Sequence, residues 1–245
     1  SQRKAIKYKN NFPEAYYNMG IIMKNIGNLK EAEISTRKAI KLKPDYAMAY
    51  YNLGTILRGL GKLKEAELSY RKAIEIKPNY AEAHSNLGNI LKDLGQLKEA
   101  GFSYRKAIEI KPDFAEAHSN LGNILRDLGN LEEAKKAFEK SLEIEPGKIH
   151  CLSSLIHTLS AMCMWDEVEK YLPYLDKIGI EGEFTEPLVM MYIEDNPINH
   201  LKRAVNYNQR NRKEELPIIS HQNNNKIRIG YFSSDFNNHP ITHLL

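Results

Sequence analysis

The sequence of 245 residues has few cysteines, no long apolar segment and little net charge. It contains one tryptophan and two cysteines, Cys151 and Cys163, which are too few for a disulfide framework or a zinc site. No stretch approaches the ~18 consecutive apolar residues that a transmembrane helix needs. We therefore expect no membrane partner, and a reducing compartment, the cytoplasm.

An excess of charge of one sign is also missing. Lysine and arginine number 35 against 31 aspartates and glutamates, which leaves a net charge of +4. Because this balance is too even to indicate nucleic-acid binding, we expect no nucleic-acid partner. Basic pairs nevertheless recur, namely Arg37-Lys38, Arg71-Lys72 and Arg105-Lys106. They fit a solvated outer face, and the alternative, a polyanion site, would make DNA or RNA binding steeply dependent on salt.

What the sequence does have is an internal repeat of 34 residues. Four full copies follow one another, at 13–46, 47–80, 81–114 and 115–148. In the second copy, Tyr50, Leu53 and Leu57 have the i, i+3, i+7 spacing of one helix face. The pattern resembles the tetratricopeptide repeat (TPR). That resemblance implies an all-α, right-handed superhelical solenoid of antiparallel helix pairs, helix A and helix B.

Glycine and proline mark the joints of each repeat. Gly54, at position 8, leaves room for the second helix to approach closely. Gly61, at position 15, suits the left-handed residue that ends helix A, and Pro78 ends helix B before the next repeat begins. Each repeat is therefore predicted to be a helical hairpin that buries its apolar face only against its neighbours.

The ends of the array keep the phase but lose parts of the pattern. Residues 1–12 match the end of an earlier, truncated repeat, so we expect the sequence to be a fragment with more repeats upstream. Residues 149–182 form a degenerate fifth repeat, in which Cys163 replaces the loop glycine and Ile156 the packing glycine. Because Pro173 falls inside the expected helix B, we expect this repeat to be distorted and to end the array.

A change of character follows the array. Residues 183–225 are predicted to be a helical connector. Residues 226–232 alternate and are rich in β-forming residues, which predicts a strand. A loop comes next, and Pro240 lies where a helix would start. A strand, a loop and a helix start are typical of the opening of an α/β domain.

An asparagine occupies position 6 of every full repeat. The four residues are Asn18, Asn52, Asn86 and Asn120. In TPR arrays helix A lines the concave face, and an asparagine amide can pair with both the N–H and the C=O of a peptide backbone. We therefore predict that this asparagine ladder binds the acceptor peptide without reading its side chains. The alternatives are that the Asn-Leu-Gly unit was copied with the repeat, or that the amides pair with each other between repeats.

The last residues carry a more specific resemblance. The connector contains Glu-Pro-Leu-Val-Met-Met-Tyr-Ile-Glu-Asp at 186–195, and Gly-Tyr-Phe-Ser-Ser-Asp-Phe-Asn-Asn-His-Pro spans 230–240. Placed after a TPR array, these segments resemble protein O-linked N-acetylglucosamine (O-GlcNAc) transferase and its Spindly-like relatives. The resemblance implies that 226–245 begin a glycosyltransferase catalytic domain of two Rossmann-like halves, the GT-B arrangement.

The resemblance also implies a reaction. The family transfers N-acetylglucosamine from UDP-GlcNAc to serine or threonine with inversion and without a metal, and it recruits the acceptor protein through its TPR groove. His239 matches the family's active-site histidine, as a base or as a group that positions the acceptor. A histidine pKa suits the removal of a hydroxyl proton.

Other outcomes stay open. No glycine-rich phosphate loop appears before Leu245, so we expect this fragment to bind no cofactor and to be inactive alone. The alternative function is a non-catalytic TPR scaffold or adaptor that mediates protein–protein interaction. The identity of the donor sugar and a homodimer through the repeats remain undecided.

Overall fold

A computed structural model describes residues 12–174 of the chain. This part contains ten α-helices and ends in a short 3₁₀ helix, Glu169–Tyr174. The α-helices are α1 (Pro13–Asn25), α2 (Leu29–Leu42), α3 (Ala47–Gly59), α4 (Leu63–Ile76), α5 (Ala81–Asp93), α6 (Leu97–Ile110), α7 (Ala115–Asp127), α8 (Leu131–Ile144), α9 (Ile149–Ala161) and α10 (Trp165–Val168). Odd-numbered helices are the A helices of successive repeats, and even-numbered helices are the B helices.

The first four A helices end in the same turn, which glycine makes possible. The glycine that follows each of them has a φ between 74° and 80°. In the third repeat, the N–H of Gly95 donates to the carbonyl of Lys92 at 2.9 Å, and the N–H of Gln96 donates to the carbonyl of Leu91 at 2.8 Å. This is a Schellman turn, in which a left-handed residue satisfies the last carbonyls of the helix. Glycine adopts that conformation without a Cβ clash.

Cys163 makes the same turn in the fifth repeat without being glycine. Its φ is 56°, and its N–H donates to the carbonyl of Ser160 at 3.1 Å. A left-handed conformation costs a residue with a Cβ on the order of 1 kcal/mol. The helix that follows has four α-helical residues and continues as the 3₁₀ helix, which contains Pro173. Because proline lacks an N–H and clashes with the preceding turn, it disfavours a longer α-helix here.

In the second, third and fourth repeats, helices A and B meet where a glycine faces an aromatic ring. An ideal Cβ added to Gly88 would lie 2.7 Å from a ring carbon of Tyr104. One added to Gly122 would lie 2.6 Å from a ring carbon of Phe138. Both rings are fully buried. Position 8 therefore has to be glycine for the two helices to approach this closely with an aromatic ring between them.

The stacking of neighbouring helices buries the remaining apolar side chains. Each helix from α2 to α9 packs against the helices that precede and follow it in the chain, and successive A helices also touch. The buried side chains from Leu53 in the second repeat to Val168 in the fifth form one continuous apolar cluster. No repeat can bury its apolar faces alone, which is the physical reason for a repeat array.

The prediction of an all-helical repeat solenoid is confirmed for residues 12–174. The remaining predictions concern other parts of the chain. The earlier repeat at 1–12, except for its last residue, lies outside the described residues. The same is true of the connector at 183–225, and of the strand, the α/β start and His239 within 226–245.

Gly122→Ala should lower the free energy of unfolding by about 1–2 kcal/mol. Overpacking against the Phe138 ring costs roughly 1–3 kcal/mol, and the higher helix propensity of alanine offsets at most about 1 kcal/mol of this. Thermal and urea unfolding followed by helical circular dichroism measure the change.

Gly101→Ala is the matched control, because Gly101 lies inside α6 and the nearest atom to an added Cβ is 3.5 Å away on Ile124. This is ordinary contact, so the control should gain about 0.5–1 kcal/mol from helix propensity. Equal losses in Gly101→Ala and Gly122→Ala would contradict the account.

Candidate functional site

The asparagine ladder lies on consecutive A helices, and its members differ in exposure. Asn18, on α1, is half-buried. Asn52, on α3, is only 3% exposed, and its Nδ2 donates to the Oγ1 of the buried Thr36 at 3.3 Å. Asn86 and Asn120, on α5 and α7, are half-buried and reach the surface. Asn52 is therefore largely occupied in joining α3 to α2, whereas the later two asparagines remain accessible.

Hydrogen bonds connect the accessible ladder residues to neighbouring helices. The Nδ2 of Asn86 donates to the Oη of Tyr51 at 2.9 Å, which links α5 to α3. The Nδ2 of Asn120 donates to the Oδ1 of Asn89 at 3.2 Å, which links α7 to α5. The same Oδ1 accepts from the Oη of Tyr104 at 2.7 Å. The ladder amides therefore join neighbouring repeats through Tyr51 and Asn89, and none of these bonds joins one ladder amide to another.

The pairing leaves capacity for a ligand. An asparagine Nδ2 carries two hydrogens and its Oδ1 two lone pairs, while these bonds use one hydrogen on each of Asn86 and Asn120. The internal bonds also fix the orientation of each amide, which lowers the entropy that a ligand would have to remove. The surface that these amides share with positions 5 and 9 of the A helices is called the A-helix face below.

Asn89 is the centre of this network, and the sequence analysis missed it. It occupies position 9 of the third repeat, and its own Nδ2 donates to the Oδ1 of Asn86 at 3.3 Å. The available signal was that position 9 is polar in three repeats, as Thr55, Asn89 and Asn123. Since position 9 varies in residue type, the pattern alone does not indicate a shared role.

Four tyrosines form a second feature of the A-helix face, called the tyrosine patch. They are Tyr17, Tyr46, Tyr51 and Tyr80. The Tyr17 and Tyr46 ring centroids are 5.0 Å apart, and so are those of Tyr51 and Tyr80. All four side chains are half-buried. Position 5 of the third and fourth repeats is serine, so the patch is confined to the first two repeats.

Burial and nearby negative charge act together on these phenols. Burial raises the pKa of Tyr80 to about 12, and the neighbouring phenols and the carboxylate of Glu82 add to the rise. Burial also raises the pKa of Tyr51, with added effects of Glu82 and Glu116, while the hydrogen bond from Asn86 lowers it. The tyrosine patch is therefore neutral at physiological pH and lies in a negative potential.

The arginines of the B-helix basic pairs lie on a different surface and are ion-paired. The guanidinium of Arg71 contacts the Glu99 carboxylate of the next repeat at 3.0 Å, and Arg105 contacts Glu133 in the same way at 3.2 Å. These side chains are about half exposed, so each pair contributes at most about 1 kcal/mol. The geometry is that of a solvated, charge-balanced outer face.

Two kinds of site are missing from the part of the chain that the structure describes. Residues 12–174 contain no group of three or more His, Cys, Asp or Glu side chains that could hold a metal ion. Over the same residues, no helix is both long enough and apolar enough to cross a membrane.

Comparison with protein families identifies the repeat. Models described as TPR repeat match residues 54–95 and 88–125. Models described as tetratricopeptide repeat match residues 13–46, 36–67 and 115–148. Together the matches span 13–148, which is more than half of the sequence, and the chain belongs to the tetratricopeptide repeat family.

Solved structures give the same fold. MamA is 31% identical over 60% of this chain and 86% of its own, with a TM-score of 0.57. YrrB, a TPR protein with an unusual peptide-binding site, is 25% identical over 84% of this chain and 98% of its own, with a TM-score of 0.61. PilF of Pseudomonas aeruginosa shares the fold at 21% identity, with coverage of 80% and 89% and a TM-score of 0.65. Comparison with curated protein sequences gave no match.

Alkaline pH should destabilise the array through its tyrosines. Tyr70 is fully buried, and burial raises its pKa to about 12, although a hydrogen bond with Thr55 opposes the shift. An unfolded tyrosine ionises near pH ~10, so the stability contributed by the raised pKa is present below ~10 and is lost as the pH rises towards about 12. Between pH 8 and 11, which covers only part of this titration, Tyr70 alone should account for a loss of about 1 kcal/mol.

Urea unfolding at several pH values between 8 and 11 measures this loss, with Tyr70→Phe as the test variant. The variant should be less stable than the parent at pH 8, because it loses the Thr55 bond, but its stability should fall less steeply with pH. Parallel curves for the two proteins would show that Tyr70 does not contribute.

Proposed function

We propose that the A-helix face binds an extended segment of another protein, and that the chain serves as a protein-interaction scaffold. One observation carries the proposal: accessible side-chain amides recur on successive A helices and are held in place by hydrogen bonds across the repeats. An extended polypeptide presents backbone N–H and C=O groups at regular intervals. A row of amides matches that backbone regardless of the side chains attached to it.

The likeness to YrrB supports the proposal, because YrrB is a TPR protein with a peptide-binding site and most of both chains align. Charge supports it too. The B-helix face is charge-balanced through ion pairs between repeats, whereas the A-helix face presents uncharged amides and phenols that can donate and accept hydrogen bonds. Recognition of a peptide backbone needs the second kind of surface.

A second candidate function rests on the sequence motif at 230–240. It resembles the start of an O-GlcNAc-transferase catalytic domain, so we propose that the parent protein transfers N-acetylglucosamine from UDP-GlcNAc to the protein held by the repeats, with His239 in the active site. The test is transfer of radiolabelled GlcNAc to protein by the product of the complete reading frame. Transfer should be lost in the His239→Ala variant. If the folded, unmutated product transfers no GlcNAc, this candidate function is rejected.

Selection of peptides from a random dodecamer library tests the scaffold function. Peptides that bind the 245-residue chain should bind the double variant Asn86→Ala/Asn120→Ala about tenfold to thirtyfold more weakly, because each lost amide contact costs about 1 kcal/mol. Isothermal calorimetry gives the affinities, and circular dichroism checks that the helices remain intact. Asn52 is left unchanged, because its amide bonds the buried Thr36.

Asn130→Ala is the matched control. Asn130 is exposed, precedes α8 and makes no side-chain capping bond, so the same chemical change there should leave the affinity unaltered. Peptides that bind the double variant as tightly as the parent would reject the A-helix face as the binding surface.

A further inference from the structure

The asparagine amides alone would suffice to bind a peptide backbone, so the tyrosine patch calls for a separate explanation. Its rings lie on only two of the repeats, whereas the asparagine ladder continues through all four. Tyr51 serves both, since its Oη accepts the hydrogen bond from Asn86 while its ring packs against Tyr70 and Tyr80. The first two repeats therefore offer a bound segment a surface for side chains as well as a row of amides.

The patch has the character of a site for a flat or elongated side chain. Tyrosine rings combine a large apolar area with a polar tip, and the face of the ring carries negative potential. Next along the same row lies Ser85, at position 5 of the third repeat. Its side chain is 2% exposed, and among the described residues its hydroxyl has no hydrogen-bond partner.

Carboxylates set the charge around the patch. Glu14 stands in the first turn of α1, and Glu82 and Glu116 stand at the equivalent place on α5 and α7. Glu14 adds to the raised pKa of Tyr46, after burial and the phenol of Tyr17. Glu14 thus acts on the tyrosine pair of Tyr17 and Tyr46, and Glu82 acts on the pair of Tyr51 and Tyr80, which makes the surroundings of both pairs attractive to a cation.

Basic residues near the patch are already engaged. The Nζ of Lys43 lies 5.0 Å from the ring centroid of Tyr46, and the Nζ of Lys77 lies 4.5 Å from that of Tyr80. Arg58, at the opposite end of α3, contacts the carboxylate of Asp93 at 3.5 Å. The two lysines show that these rings accept cations, and each comes from the same loop as the ring it covers.

We propose that the tyrosine patch, with Glu14, Glu82 and Glu116, is a subsite for a basic side chain, arginine in particular, of the bound protein segment. This inference rests on the proposed peptide-binding function and adds a sequence preference to it. The planar guanidinium stacks on aromatic rings and its methylene stem packs beside them, while its N–H groups reach carboxylates. The partner is therefore a segment that is basic where it crosses the first two repeats.

Three fluorescein-labelled dodecapeptides test the subsite. In these peptides serine alternates with arginine, with citrulline or with glutamate. Citrulline keeps the shape of arginine without its charge. Fluorescence anisotropy with the 245-residue chain should give an affinity for the arginine peptide about tenfold above that for the citrulline peptide, and weaker binding still of the glutamate peptide.

The ratio of arginine to citrulline affinity is the diagnostic quantity. It should fall to about two in Glu82→Gln/Glu116→Gln, and Tyr17→Leu should lower it as well. The control is Glu75→Gln/Glu109→Gln, which removes the same charge from exposed B-helix carboxylates and should keep the parent ratio. An equal fall in control and test variants would mean general attraction between charges and would overturn the subsite.

Asn120→Ala separates this inference from the function on which it rests, because it leaves the hydrogen bond between Asn86 and Tyr51 in place. The variant should weaken the arginine and citrulline peptides by the same factor, because it removes backbone contacts. If it does so while the parent shows no preference for arginine, the subsite is rejected and peptide binding by the A-helix face stands. If no peptide loses affinity in this variant, both are rejected.

Discussion

The contact of a glycine with an aromatic ring between helices A and B is the constraint on which the rest of the structure depends. Gly88 and Gly122 have no room for a Cβ, because Tyr104 and Phe138 fill the space between helices A and B. This contact fixes how near the two helices lie, and its recurrence every 34 residues brings each A helix beside the next in the same register. Side chains at one position of the repeat therefore form rows across the array.

The rows give the A-helix face its properties. Asn86 and Asn120 reach across to the preceding A helix, so the bonds that join the repeats also aim the amides. The B-helix face joins the repeats differently, through ion pairs such as that between Arg71 and Glu99, and it is left charge-balanced. One surface is thus polar, aromatic and uncharged along its centre, and the other is salt-bridged. This difference is why we assign recognition to the A-helix face.

The sequence predicts the helix pairs well because their landmarks are local. A glycine at position 15 specifies a left-handed turn by itself, and even Cys163 adopts it in the fifth repeat. The partners of polar side chains are a different matter. Asn52 and Asn86 occupy the same repeat position, yet Asn52 is buried on Thr36 and Asn86 bonds Tyr51, because the neighbouring residues differ between repeats. The tyrosine patch was missed for a similar reason, as its members occupy two different positions of the repeat.

The central claim, that an extended protein segment binds along the amides of the A helices, is tested most directly by the asparagine side chains themselves. Nuclear magnetic resonance of the ¹⁵N-labelled chain resolves their NH₂ groups and the Nε–H groups of the arginines. When a peptide that binds the chain is added, the account predicts shifts in the NH₂ signals of Asn86 and Asn120, and no shift in that of Asn130. Shifts confined to the Nε–H signals of Arg71 and Arg105, on the B-helix face, would contradict it.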